Sequence, residues 1–222
     1  MANEEKNIVN YQRICDKTVA NLPSFPKPKL LLHVCCGPCS CYPLTYLCPK
    51  FDVTIYYTNS NIYPKEEYDR RLATLKDLLS YLKRDHGFDI ELIVPPYDNE
   101  AYTKKLEPLK DAPEGGERCF LCYALRLEEA YDYAEEHGYD YFTTVMTVSR
   151  QKNSQKLNEI GKSLEPKHPH TKYLYSDFKK QKGLEIGTEI RKKYDLYNQN
   201  YCGCLYSYED MLRRTGGENH GT

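Results

Sequence analysis

The chain contains no tryptophan, only three methionines and no surplus of either charge, with 31 Lys+Arg against 32 Asp+Glu in 222 residues. A near-neutral balance excludes a uniformly basic nucleic-acid coat protein, although it leaves room for a local basic patch. No apolar run approaches the roughly 20 residues a membrane-spanning helix requires, and 28% of the residues are charged. A membrane protein is therefore not expected. The opening MANEEKNIVNYQ has neither a positive segment nor an apolar core, which predicts no secretory leader and a cytoplasmic chain. A chain this long can bury roughly 70% of its unfolded surface, so a core needs no disulfide staples.

Two residue types are abundant instead: ten cysteines and 22 tyrosines. Ten thiols in a reducing compartment point to metal binding or redox chemistry. Seven of them fall into three knots. Cys35, Cys36 and Cys39 lie in CCGPCS, Cys119 and Cys122 form a C-x-x-C, and Cys202 and Cys204 form a C-x-C. Cys15, Cys41 and Cys48 read as ordinary packing or surface thiols.

The apolar run KLLLHV (Lys29–Val34) has the pattern of a buried strand. Further strands are expected at Phe51–Thr58, Ile90–Val94 and Tyr141–Val148. Helices are expected after the first knot to about Cys48, at Pro64–His86, Ala101–Leu106, Arg118–His137, Ser154–Ser163, Glu185–Tyr194 and Tyr208–Arg214. Strands alternating with helices imply right-handed βαβ units, hence an α/β fold with a Rossmann-like, mainly parallel sheet flanked by helices. Residues 1–28 read as an N-terminal helical appendage and linker, 29–214 as a single α/β catalytic domain, and 215–222 as a flexible tail.

In such a sheet, ligands bind outside the carboxyl ends of the strands. CCGPCS follows the first strand directly, with Gly37 and Pro38 forming a turn that returns Cys39 toward Cys35 and Cys36. Buried cysteines can also be mere small hydrophobes, but three in six residues argue against that. The C-x-x-C opens a helix, where backbone N–H groups favour thiolates. Alone it could be a redox pair, half a zinc site or a pair of cluster ligands. Together with the first knot it suits four-thiolate Zn²⁺ or an iron–sulfur cluster, and the spacing departs from that of structural zinc. The C-x-C could bind the same metal or a second one, close a disulfide, or form a zinc hook. After the fourth strand, Thr144, Thr147, Ser149 and Lys152 could hold a phosphate or substrate hydroxyls, or form a plain loop. Lys179, Lys180 and Lys182, with Arg191, Lys192, Lys193, Arg213 and Arg214, make a local basic region. It is either a solvated face or a phosphate-contacting one. Tyr173, Tyr175, Tyr197 and Tyr201 could stack on bases or pack at the edge of the core.

Taken together, HVCCGPC, ERCFLCYALRLEEA, TTVMTVS, YSDFKK and LYNQNYCGC, spread over about Lys29–Ser207, resemble the cobalamin-independent epoxyqueuosine reductases. The resemblance implies a fold similar to adenine nucleotide alpha hydrolases, and a [4Fe-4S] cluster with an adjacent second iron ion. It implies two-electron deoxygenation of epoxyqueuosine at the tRNA wobble position, with tRNA and an external electron donor as partners. Carried onto this sequence, Cys35, Cys36, Cys119 and Cys122 are the cluster ligands. Cys39, Cys202 and Cys204 fall at the second metal, and Ser149 and Lys152 position substrate or relay a proton. The sequence departs from the usual pattern at Ser149-Arg150-Gln151-Lys152 (Ser-Pro-His-Lys in the family), at Glu185-Ile186-Gly187 (Arg-Ser-Ile) and at Asn198 (Arg).

Three other readings stay open. A PP-loop-like thiolating enzyme calls for a Gly/Ser-rich phosphate loop where CCGPCS stands. A non-catalytic metal-binding module predicts colourless zinc protein. A thiol–disulfide enzyme leaves two knots unexplained.

Overall fold

The computed structural model describes residues 8–216. The first seven residues of the expected appendage and residues 217–222 of the expected tail lie outside the described residues. Five strands form one sheet: β1 Lys29–His33, β2 Asp52–Tyr56, β3 Glu91–Ile93, β4 Tyr141–Thr144 and β5 Lys172–Tyr173. Their order is β3-β2-β1-β4-β5, with every pairing parallel. This is the Rossmann-like α/β architecture expected. The strand order reverses between β1 and β4, which opens a crevice above their carboxyl ends.

The apolar run of β1 is explained by burial on both faces, as parallel central strands require. Leu30 and Leu32 face one core cluster and Leu31 the other, and all three are fully buried. On the first face lie α1 (Tyr11–Ala20), α2 (Gly37–Leu47), α3 (Lys65–His86) and α7 (Gly183–Lys193). On the second lie α5 (Glu117–Glu136) and α6 (Ser154–Leu164). Helices α4 (Asn99–Leu106) and α8 (Leu205–Arg214) complete the set. Helix α1 contributes buried Cys15 and Val19 to the first cluster, and the backbone N–H of Asp177 donates to Gln12 Oε1. Among the described residues, no helix is long and apolar enough to cross a membrane.

Two local expectations are corrected. The fourth strand stops at Thr144, and VMTV is a 3-10 turn instead (Val145–Val148), because Thr144 Oγ1 accepts the N–H of Met146 and caps it. The turn at Gly37-Pro38 is the first turn of α2. Proline suits that place because its missing N–H has no partner to lose there.

A thiol-lined candidate metal centre

The end of β1 passes through Val34 into Cys35, and Cys36 is the extended residue that precedes α2. Cys39 lies within the first turn of that helix, so its side chain returns to the mouth of β1. The three sulfurs all lie within 4.8 Å of one another, and this group could hold a metal ion. Cys35 Sγ and Cys36 Sγ are 4.0 Å apart. Hydrogen bonding from the Cys36 and Cys39 thiols holds Cys35 well below the usual thiol pKa. Burial and the same contact push Cys36 up to about 12, and Cys39 also rises, first through its bonds to Cys35 and Cys36.

A cavity of about 110 Å³ opens over the trio, at the switch point between β1 and β4. Cys35 and Cys39 line it with Cys202, Ser149, Lys152 and Arg126. Lys152 Nζ is 3.5 Å from Cys202 Sγ. Burial works against its charge, but the thiols of Cys202 and Cys35 more than offset this and raise its pKa. Cys119 and Cys122 stand on the first turns of α5. Burial raises both, and the proximity of Cys202 adds to the rise, so the second knot lies near the third. Helix position alone therefore does not make these two thiols acidic, although the N–H of Gly115 reaches Cys119 Sγ at 3.2 Å. Tyr102 donates to Cys122 O at 3.0 Å, with its hydroxyl 3.4 Å from the sulfur. Cys204 is raised by burial, and its Sγ is 3.3 Å from Ser207 Oγ. Among the described residues, only Cys35, Cys36 and Cys39 close to within 4.8 Å as a set of three or more; the other four knot thiols join no such set.

The third knot is held in place by Arg71 of α3, which donates to the carbonyls of Tyr201 (3.1 Å) and Cys202 (3.0 Å) and to Glu67 (2.7 Å). Gly203 has φ +117, and a Cβ there would sit 2.7 Å from Arg71 Nη1. Glycine is needed at this bend for both reasons. Gln199 Nε2 donates to Cys36 Sγ at 3.0 Å and joins the third knot to the first.

Two buried cations border the thiols. Arg126 is 3% exposed, and its Nη2 donates to neutral Asn59 Oδ1 at 2.6 Å while its Nε has no partner. Among the described residues, neither Arg126 nor Lys152 forms an ion pair with a carboxylate. Buried charge is costly unless compensated, and here the compensating groups are thiols. Burial opposes the charge of Arg126, and Cys122 and Cys35 sustain it. A soft-donor, electron-rich sulfur centre fits such a setting.

Other expectations fare differently. Thr144 and Thr147 are fully buried and bonded inward, to His33 Nδ1 (2.7 Å) and Ser176 Oγ (3.0 Å), so of that loop only Ser149, Gln151 and Lys152 reach the cavity. Lys179 turns inward to Thr147 O (3.0 Å) and Asp177 (3.4 Å), so it leaves the basic region. Tyr173 is a core residue, and Tyr175 stacks on Tyr11. Cys15, Cys41 and Cys48 are buried packing thiols. Asn59, Asn61, Arg71, Arg126 and Gln199 line the cavity and were not expected from the sequence. Arg126 had a signal, because Cys119, Cys122 and Arg126 share one face of α5 at steps of three and four.

A profile of the family described as "Epoxyqueuosine reductase QueH" matches residues 30–210. The chain is 41% identical to the protein of that name from Streptococcus pyogenes serotype M1 over 181 residues, covering 82% of this chain and 71% of the relative. It is 40% identical to the one from Staphylococcus aureus (strain Mu50) over 202 residues, with 90% and 84% covered. It is 30% identical to the Thermotoga maritima protein of the same name over 181 residues, with 80% and 89% covered.

Proposed function

Because the chain belongs to the epoxyqueuosine reductase QueH family, we propose that it removes the epoxide oxygen of epoxyqueuosine in the anticodon wobble position of tRNA, in the cytoplasm. It is an oxidoreductase. The observation that carries the metal part of this reading is the convergence of Cys35, Cys36 and Cys39 within 4.8 Å of one another, beside the buried cations Arg126 and Lys152, which among the described residues form no ion pair with a carboxylate.

In this reading Cys35, Cys36, Cys119 and Cys122 hold a [4Fe-4S] cluster, and Cys39, Cys202 and Cys204 hold an adjacent iron. When bound, these groups would supply electrons and a Lewis acid toward oxygen. The net change breaks both C–O bonds of the epoxide and forms one C=C bond. It consumes two electrons from an external one-electron donor and two protons, and releases water. The chain's own residues do the rest. Lys152, held as an ammonium, keeps a proton beside Cys202 and the cavity. Ser149 and Gln151 line the same wall, where they orient the substrate's hydroxyls. Arg71 fixes the Tyr201–Cys202 carbonyls, and so the position of the third knot.

The direct test is anaerobic turnover of tRNA carrying epoxyqueuosine with metal-loaded protein and dithionite, followed by nucleoside mass analysis. Loss of one oxygen mass is expected, and an unchanged nucleoside would sink the reading. Absorbance near roughly 400 nm in anaerobically purified protein tests the cluster separately. A colourless zinc protein would favour the non-catalytic module.

A further inference from the structure

The cavity does not end at its rim. On one side it continues into a groove between α2 and α7, sharing Cys39, Ser149 and Gln199 as common walls. On the other it continues past Gln151, Asn200, Tyr201 and Cys202 toward Met211 and Arg214. A chain-like ligand could therefore lie across the mouth with one unit in the cavity.

The two sides differ in charge. The α2–α7 groove carries Arg150 and Arg191, and no acidic side chain lines it. Arg150 is exposed and Arg191 half-buried, and among the described residues neither guanidinium has a carboxylate partner. Other cations of the basic region differ: Lys179 is engaged with Asp177, Lys193 with Asp85 and Arg213 with Asp210, while Lys180, Lys182 and Lys192 do not line the groove. The opposite side contains Glu114, 3.9 Å from Arg214, and so is less suited to an anion. Arg150, Gly187 and Asn198 all line this one groove.

We propose that the α2–α7 groove receives the phosphate–ribose backbone of the nucleotide adjoining the one in the cavity, with Arg150 and Arg191 holding its phosphate. This rests on reading the cavity as a site for a tRNA nucleotide. Bidentate guanidinium–phosphate contact suits two unpaired arginines. A single strand splayed at an anticodon loop is the form of RNA that such open grooves accept. Gly183 and Gly187 form part of the floor, where α7 lies close upon Tyr42 of α2.

The test is anisotropy of a labelled anticodon stem-loop over a salt series, with metal-loaded wild type and the Arg150→Gln/Arg191→Gln double variant. The double variant should bind at least about tenfold more weakly, and its log–log salt slope should be shallower by about 0.7, the share of the one phosphate the pair would hold. Arg150→Lys/Arg191→Lys should keep most of the slope. Lys50→Gln, before β2 at the other end of the sheet, should leave it unchanged. An unchanged slope in the Gln variant would overturn the proposal, even if affinity fell, because the loss would then lie in the fold and not in phosphate contact. Polyglutamate binding wild type as tightly as the RNA would also overturn it, by making an acidic peptide the occupant. The redox reading is judged apart from this, on whether wild type yields the deoxygenated nucleoside at all.

Discussion

Lys152→Met keeps the length and apolar stem of this side chain and removes only its ammonium. If that group is the proton source beside Cys202, turnover should fall by about 10²-fold, while iron content stays near that of wild type. Lys152→Arg should recover part of the rate. Full activity in the Met variant would remove Lys152 from the chemistry. At the same scale, Cys15, Cys41 and Cys48 are each pushed by burial to about 12 from an ordinary value of 9.0. They should stay unalkylated by iodoacetamide in the native protein at pH 8. The sign for stability follows: the folded thiols remain protonated while the unfolded ones ionise. Their contribution is complete below pH 9 and declines as pH rises through about 12. Fast alkylation at pH 8, read by peptide mass, would contradict this burial.

Some elements could be read in the sequence and some could not. KLLLHV reads as a buried strand because burial on both faces demands continuous apolar residues, and Leu30 to Leu32 meet that demand. VMTV looks equally strand-like, but a single threonine side chain diverts it into a 3-10 turn. The cysteine knots stand out by spacing alone. What brings them together does not: the link from Arg71 to Tyr201 and Cys202 joins residues about 130 positions apart, with no local pattern to announce it. That link is also testable. Arg71→Leu leaves Glu67 buried beside only the Tyr197 hydroxyl, at a cost of about 3–5 kcal/mol. For a domain of this size that is a fall in Tm of about 10 °C. Adding Glu67→Gln should return a good part of the loss, because the stranded carboxylate is then gone. A single variant as stable as wild type would show that the pair contributes nothing.

For the molecule as a whole, metal and fold should be linked. The seven thiols come from three remote stretches of chain, so a bound centre would bridge α2, α5 and the segment before α8. Anything that binds only the folded form raises its stability by mass action, about 2.7 kcal/mol at a hundredfold excess over Kd. Anaerobically reconstituted protein should therefore melt several degrees above chelator-treated protein. Cys39→Ala, which breaks the 4.8 Å trio, should shrink that gap. Equal Tm values for loaded and stripped protein would separate the thiols from any structural metal.

Cys202 and Cys204 follow every strand in chain order, while Cys35 and Cys36 come straight after the first. During synthesis, then, the sheet can assemble around β1 with its first three sulfurs already gathered and still bare. The pocket receives its last wall only when the segment clamped by Arg71 emerges. A metal met by the nascent chain would therefore find an unfinished bowl, and the full thiol wall exists only once the chain through Cys204 has been made.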